Sequence, residues 1–491
     1  MEDATSSAAA RGPAGPSPVA PPPADDGYPR RLLVTVLAAI LVFSSSMTLV
    51  SAALPTMATD LDSTESFLSW AVTGLFLMMA VGTPVFGRLG DAHGHRRVFL
   101  IGAAVLGFGT FLCAIAPSAP AFVAARMVAG LGIAATMPNS MALIMAAYPV
   151  ERRSEAMGWF QMAMTGAPVV GLVAGGPLIE AFGWRSVFIV LTPIAVTGFV
   201  VAARVIRPSA VRAGVVVDWW GAATLAVGTL GFLLFLERGG SAGFGDPWAL
   251  ALLGAGLVGA VAFVAVERRV AQPMLKLAYF RRRNFTGPLI AQPLAQFAYM
   301  GGFLISPLFL DEVFGYSVAA VALVLLARPG TYSIASPIGG RLATTVGERR
   351  MIISGTALMV LSMAVWVLAA HAVSLPLVLL GLVLSGLAMG LASPSYATVL
   401  AGSVDPGDLG IANGMGSTFM NIGMLTGIQA MFTVLGDGRE ADDFSRVFAF
   451  GGAVAALGLV GAFMVRSTVR PPARVVVVGG HPGQPAAPEG R

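Results

Sequence analysis

The sequence predicts an all-α membrane protein: fourteen transmembrane helices, arranged as two related six-helix halves with a helix pair inserted between them. Three observations predict it. The 491 residues are 56% hydrophobic and only 11% charged, with a mean hydropathy of +0.80, more apolar surface than a soluble chain can hide. The apolar residues fall into runs long enough to cross about 30 Å of hydrocarbon. A charged, glycine-rich connector also occurs twice at one fixed offset, the mark of an internal repeat.

Taken in order, residues 1–29 are rich in Pro, Ala, Gly and Ser and are expected to be disordered. Arg30 and Arg31 then precede span one, 32–55, which is read as a retained first helix rather than a cleaved signal because many spans follow it. Spans two to six fall at 67–86, 98–116, 120–147, 157–179 and 185–206. Spans seven and eight, 219–236 and 248–266, form the inserted pair, and a basic linker from Glu267 to Asn284 follows them. The last six spans fall at 285–310, 317–340, 351–370, 374–401, 409–435 and 444–466. The expected division is a tail (1–31), a six-helix bundle (32–206), the inserted pair with its linker (207–284), a second six-helix bundle (285–466) and a polar tail (467–491).

Charge sets the orientation. With the N-terminus in the cytoplasm, 24 of the 30 Lys and Arg fall in cytoplasmic segments. Arg185, Arg238, Arg439 and Arg446 fall outside, and Arg126 and Arg328 fall within spans. Both termini are therefore expected to be cytoplasmic. Trp70, Trp184, Trp219, Trp220 and Trp248 lie near span ends, where interface anchors belong. The net charge of +5 comes from loop residues. It is read as topology and contact with the lipid surface, not as a nucleic-acid patch. The single cysteine, Cys113, excludes an intramolecular disulfide.

The connector reads Gly87-Arg88-Leu89-Gly90-Asp91-Ala92-His93-Gly94-His95-Arg96-Arg97, and its second copy runs from Gly340 to Arg350. An offset of 253 residues pairs Pro84 with Pro337, Gly87 with Gly340, Arg88 with Arg341, Leu89 with Leu342, Gly94 with Gly347, Arg96 with Arg349, Arg97 with Arg350 and Gly102 with Gly355. Glycine permits a sharp turn and close backbones, and arginines beside a helix end stay on the cytoplasmic side. Asp91 can pair with the neighbouring cations or sit at the N-terminus of another helix. A connector that only sets topology is the plainer reading of any single copy.

The pattern Gly87-x-x-x-Asp91-x-x-Gly94-x-Arg96-Arg97 after a long apolar run resembles the signature between helices 2 and 3 of the major facilitator superfamily. Trp70-Ala71-Val72-Thr73, Asp218-Trp219-Trp220-Gly221, the linker from Glu267 to Phe280, and Phe314-Gly315-Tyr316-Ser317 narrow the resemblance to its fourteen-helix drug:proton antiporter branch, over about residues 32 to 466. The resemblance implies a major facilitator fold, no cofactor beyond a proton gradient, and a latch that closes the cytoplasmic face. The latch would be formed by Gly87, Arg88, Asp91, Gly94, Arg96 and Arg97 with Gly340, Arg341, Gly347, Arg349 and Arg350. It implies a coupling role for Arg126, although Ala129 stands where the family usually has glutamine.

Other positions depart from the branch. Ser46 and Ser51 replace the acid and the asparagine usual in span one. In span five Leu172 holds the proline position of the antiporter motif, and Pro168 lies four residues earlier. A proton-coupled carrier needs a group that binds and releases a proton within reach of its cavity. Asp311 and Glu312, at the outer end of span nine, are the nearest acids outside the latch, with a surface role as the alternative. Arg328, near mid-membrane just before Pro329-Gly330, is expected to line a polar cavity, binding an anionic or zwitterionic part of the substrate or a structural carboxylate.

Carriers of this kind bind substrate near the midplane between their halves. The candidate lining residues are Ser46, Asn139, Gln161, Gln292, Gln296, Tyr299, Tyr332, Tyr396 and Asn421 together with Arg328. For each, bonding between helices is the plainer alternative. No nucleotide-binding loop, metal cluster or nucleophile–base pair appears, so an enzyme is disfavoured. The expected function is export of small amphipathic compounds, drugs or lipids, in exchange for protons, by a monomer in the inner membrane. A facilitator that is uncoupled or coupled otherwise, for a lipid or an anionic metabolite, and a membrane sensor without turnover are the rivals.

Overall fold

The computed structural model describes residues 27–68, 70–209, 218–270, 273, 275–436 and 438–466. Some helical side chains, chiefly 41–49, 51–52, 54–55 and 168–176, lie outside the description. The expected tails up to residue 26 and from 467 onward therefore lie outside the described residues, as do the side chain of Ser46 and most of the span-five motif.

The described residues form fourteen long helices. In the first half these are α1 (Tyr28–Asp60), α2 (Trp70–His93), α3 (His95–Ala114), α4 (Ala119–Ala147), α5 (Arg153–Phe182) and α6 (Arg185–Val205). The inserted pair is α7 (Trp219–Ala242) and α8 (Pro247–Glu267). The second half holds α9 (Arg283–Glu312), α10 (Val318–Leu325 and Ala327–Val346, meeting at Leu326), α11 (Glu348–Ala372), α12 (Leu375–Gly402), α13 (Leu409–Leu435) and α14 (Ala441–Met464). Twelve of them meet the length and hydropathy of a membrane span on their described residues, and α1 and α5 are 33 and 30 residues long.

Several boundaries move from the sequence reading. Helix α1 begins at Tyr28, inside the stretch assigned to the tail. The connector is helix rather than loop: α2 runs on to His93 and α10 to Val346, and a single glycine then breaks each. Gly94 (φ 93°) and Gly347 (φ 97°) take the same left-handed turn, a backbone that only glycine enters without strain. The repeat is thus visible in the backbone as well as in the residues.

Packing repeats too. In the first half α3 packs on α4, α2 on α4, α1 on α5 and α6, and α3 on α6; eight helices later, α11 packs on α12, α10 on α12, α9 on α13 and α14, and α11 on α14. The halves meet chiefly along two crossings, α2 on α13 and α5 on α10, which the same eight-helix step relates to each other, with α5 on α12 and α4 on α13 beside them. Helices α7 and α8 pack on one another, and α7 leans on α2 and α13. Trp219, Trp220 and Trp248 are exposed as interface anchors should be, whereas Trp184 is buried. Its indole N–H donates to Asp60 Oδ2 at 3.0 Å, and its ring meets Phe122 edge-on at 5.3 Å.

Candidate functional site

The connectors lie where the two halves touch. At the end of α2, Asp91 accepts from the backbone N–H groups of Gly410 (2.8 Å) and Ile411 (3.0 Å), capping the first turn of α13. A carboxylate there satisfies two otherwise unpaired donors and sits at the positive end of the helix dipole. His95 Nε2 lies 3.5 Å from Asp91 Oδ1. Beside it, Arg88 Nη1 pairs with Asp408 Oδ1 at 3.0 Å, and Arg88 Nη2 donates to the Pro273 carbonyl. At the other crossing Arg341 Nε reaches Glu155 Oε1 at 3.3 Å, and the Ser154 hydroxyl donates to Thr398 Oγ1 at 3.0 Å. The two ion pairs share the repeat offset, since 341 − 88 and 408 − 155 both equal 253. That arithmetic is the signal by which Glu155 and Asp408, absent from the sequence reading, could have been found.

Backbones touch at the same crossings. A Cβ on Gly87 would sit 2.2 Å from the Gly410 carbonyl oxygen, and one on Gly340 would sit 2.2 Å from that of Ser154. Arg96 acts within its own half, donating to the Ala203 carbonyl at 2.7 Å. Arg97, Arg349 and Arg350 are exposed, and Gly94 and Gly347 are the helix breaks.

The central linker is tied into this face. Lys276 Nζ lies 2.8 Å from both Asp405 Oδ2 and Asp408 Oδ2, and the Tyr279 hydroxyl donates to Asp408 Oδ2 at 2.5 Å. Burial opposes ionisation of Asp408. The hydrogen bonds from Lys276 and Tyr279, with the charges of Lys276 and Arg88, outweigh it and hold the carboxyl below the usual range. The Lys276 hydrogen bond, with that from Tyr279, likewise lowers Asp405. Burial also opposes the Lys276 ammonium, and its hydrogen bonds to Asp405 and Asp408 raise it above an ordinary lysine. Burial, and then the bond to Asp408, push the Tyr279 phenol up to about 12.

These shifts fix the pH response of the linker cluster. The two acids have depressed values, so their contribution is complete above the ordinary carboxylate value and is lost only as pH falls through the depressed one. Lys276 is raised, so its contribution is complete below the ordinary lysine value and is lost as pH rises through the raised one. The closed linker contact is therefore expected to hold unchanged between about pH 5 and pH 9. Spin-label distances between the linker and Ser403 check this; a loosening near neutral pH would contradict it.

A cavity of about 530 Å³ lies between the halves. Phe76, Met79, Met137 and Met164 contribute from the first half, and α9, α10, α12 and α13 from the second. Of the sequence candidates, Gln161, Gln292, Gln296, Tyr299, Arg328, Tyr332 and Asn421 line it. The Gln161 amide donates to the Tyr332 hydroxyl at 3.2 Å, which in turn donates to Ser393 Oγ at 2.8 Å. Arg328 donates to the Tyr299 carbonyl, and its guanidinium carbon lies 3.4 Å from the Tyr299 ring centroid and 4.6 Å from that of Phe303. Asn413, which the sequence reading did not assign to the site, also lines the cavity and is 1% exposed.

Two candidates belong elsewhere. Asn139 is fully buried beside the connector, where its amide donates to the carbonyls of Phe86 (3.1 Å) and Ala135 (2.8 Å) and its oxygen lies 2.8 Å from His95 Nδ1. Tyr396 is buried against α11, 2.9 Å from Thr356 Oγ1. Both polar groups serve contacts between helices of one half. Of the coupling candidates, Arg126 is buried in the first half, where its Nε donates to the Ala71 carbonyl at 3.3 Å, and Asp311 is exposed at the end of α9. Neither lines the cavity. Among the described residues no group of His, Cys, Asp and Glu could hold a metal ion.

The model of the Major Facilitator Superfamily matches residues 35–290 and 289–488. The chain is 30% identical over 406 residues to "Multidrug resistance protein Stp" of Mycobacterium tuberculosis (strain ATCC 25618 / H37Rv), covering 82% of this chain and 75% of that protein. It is 27% identical over 438 residues to "Tetracenomycin C resistance and export protein" of Streptomyces glaucescens, covering 87% of this chain and 80% of that protein. Among solved structures, the human organic anion transporter MFSD10 (TETRAN) superposes with a TM-score of 0.65 at 16% identity, over 88% of this chain and 99% of that one. The proton:xylose symporter XylE gives 0.63 at 13% identity, over 89% and 95%. At these identities the structural likeness is one of fold alone.

Proposed function

The chain belongs to the Major Facilitator Superfamily and is therefore a multi-pass membrane transporter rather than an enzyme, and from that premise we propose that it exports small amphipathic compounds from the cytoplasm in exchange for protons. The carrying observation is the cavity of about 530 Å³ between the halves, with a size and an apolar lining suited to a drug-sized molecule. The relatives named for multidrug resistance and tetracenomycin C export support the direction. In this reading residues 32–206 and 285–466 move as two bundles, with 207–284 riding between them, in a monomer whose termini are both cytoplasmic. The connector face is the cytoplasmic gate, held closed by Asp91, Arg88 and Arg341. Arg126 and Asp311 are the proposed coupling groups, and the seven cavity residues predicted from sequence are the proposed contacts.

A second reading, a proton-independent facilitator, is favoured by one observation: no carboxylate lines the cavity among the described residues. Vesicles containing the protein, loaded with an amphipathic dye and given a pH gradient, separate the two. A gradient of one unit supports about tenfold accumulation for each proton exchanged per substrate. Accumulation that tracks the gradient is the expected result. Dye flux that ignores the gradient establishes the facilitator, and no flux with any compound favours a sensor.

A further inference from the structure

The charge inside the cavity is one-sided. Arg328 is the one ionisable side chain other than tyrosine that lines it among the described residues. Residues 41–49 and 168–176, the main helical stretches whose side chains are not described, contain no acidic or basic residue in the sequence. Arg328 is 3% exposed, and among the described residues no carboxylate pairs with it. Its partners are the Tyr299 carbonyl and the faces of Tyr299 and Phe303, and its Nε has no hydrogen-bond partner. Ring faces and one carbonyl hold a guanidinium in place without neutralising it. A cation at membrane depth calls for an anion or water beside it.

The rest of the wall says what carries that anion. Seven methionines and three phenylalanines line the cavity, a surface that adapts to varied apolar shapes. Asn413 presents a second polar point: it is 1% exposed, and neither atom of its amide has a partner. Complementarity therefore asks for an apolar body with one negative group and a neutral hydrogen-bonding group elsewhere on it.

We propose that the cavity selects amphipathic monoanions (carboxylates or sulfonates of drug-like size), with the anionic group on the Arg328 guanidinium and a carbonyl or hydroxyl on Asn413. The proposal rests on the transport reading above and names its substrate class. A planar guanidinium matches the two oxygens of such a group. A cationic amphipath meets an unneutralised positive charge and no acid. The cavity is the size of a drug-sized ligand rather than a two-chain lipid, which assigns the anion to a free compound.

The test uses the full chain in nanodiscs of neutral lipid, with empty discs subtracted. The probes are 8-anilinonaphthalene-1-sulfonate, N-phenyl-1-naphthylamine (the same aromatic body without the sulfonate) and tetraphenylphosphonium. The wild type is expected to bind the sulfonate on the order of tenfold more tightly than either other probe. Arg328→Met is expected to bring the sulfonate down to the level of the amine while amine binding, the check on folding, stays unchanged. Arg328→Lys, which keeps the charge without the planar fork, falls between them and serves if the Met variant fails to fold. Discs containing phosphatidylglycerol leave sulfonate binding unchanged if a free anion is the ligand, and competition by that lipid overturns the assignment of source. Equal binding of all three probes, or tightest binding of the phosphonium, overturns the proposal and leaves amphipath transport standing. Loss of sulfonate and amine together in Arg328→Met, with Arg328→Lys binding the sulfonate no more tightly than the amine, also overturns it, as a packing role would. If none of the probes binds, the transport reading falls with it.

Discussion

Asp91→Asn is expected to lower transport about 5- to 150-fold while leaving the amount of folded protein in the membrane unchanged. The carboxylate accepts from two backbone N–H groups of α13, across the boundary between the halves. An asparagine keeps the shape but turns one acceptor into a donor facing donors. Leaving a buried donor without its acceptor costs about 1–3 kcal/mol, a shift of about 5- to 150-fold against the closed face. Because the bonds join two halves and not two turns of one, the cost falls on one conformation and spares the folding of each bundle. Uptake or efflux at the wild-type rate by this variant would show that the face closes without the cap.

Gly87→Ala and Gly132→Ala are expected to fail in opposite ways, although both add one methyl group to a crowded helix crossing. The Gly87 methyl group would sit 2.2 Å from the Gly410 carbonyl oxygen, so the halves must separate to accommodate it. Overpacking costs about 1–3 kcal/mol, which here weighs against closure alone. Transport should fall about tenfold at normal thermal stability. Gly132 lies against the backbone of Leu106, 2.4 Å from its nitrogen, inside the first half. There the same methyl group should lower the melting temperature and the yield, with no preference for either face. Labelling of a Ser154→Cys reporter distinguishes them: the residue is 2% exposed when closed, and the native Cys113 is buried. Fast labelling is expected in the Gly87 variant only, and slow labelling in both would refute the distinction.

The helices were legible because a span needs a long apolar run, and the repeat because eight identities share one offset. The connector was harder to read. Charge and glycine suggested a loop, yet Gly87 and Gly90 are helical and serve close approach, while only Gly94 turns the chain. The polar residues of the spans were the least legible. Gln161 and Tyr396 look alike in sequence, but one faces the cavity and the other Thr356. Which way a polar side chain points depends on helix rotation, and in spans apolar on every side no stripe reports it. Asp408 was not singled out and Lys276 was read only as one cation of the basic linker, because their partners lie far along the chain, at Arg88 and Asp405.

One of the differences between the two connectors bears on the closed face. Thr344 stands where the repeat offset would place a second Asp91. One seam of the closed face therefore carries the helix cap and a pair whose side chains are 8% and 7% exposed, Arg88 and Asp408. The other carries Arg341 and Glu155, 64% and 20% exposed, a pair of the solvated kind worth about 0–1 kcal/mol. Two stitches of unequal strength hold a symmetric fabric, and it parts more cheaply along the edge where α5 meets α10.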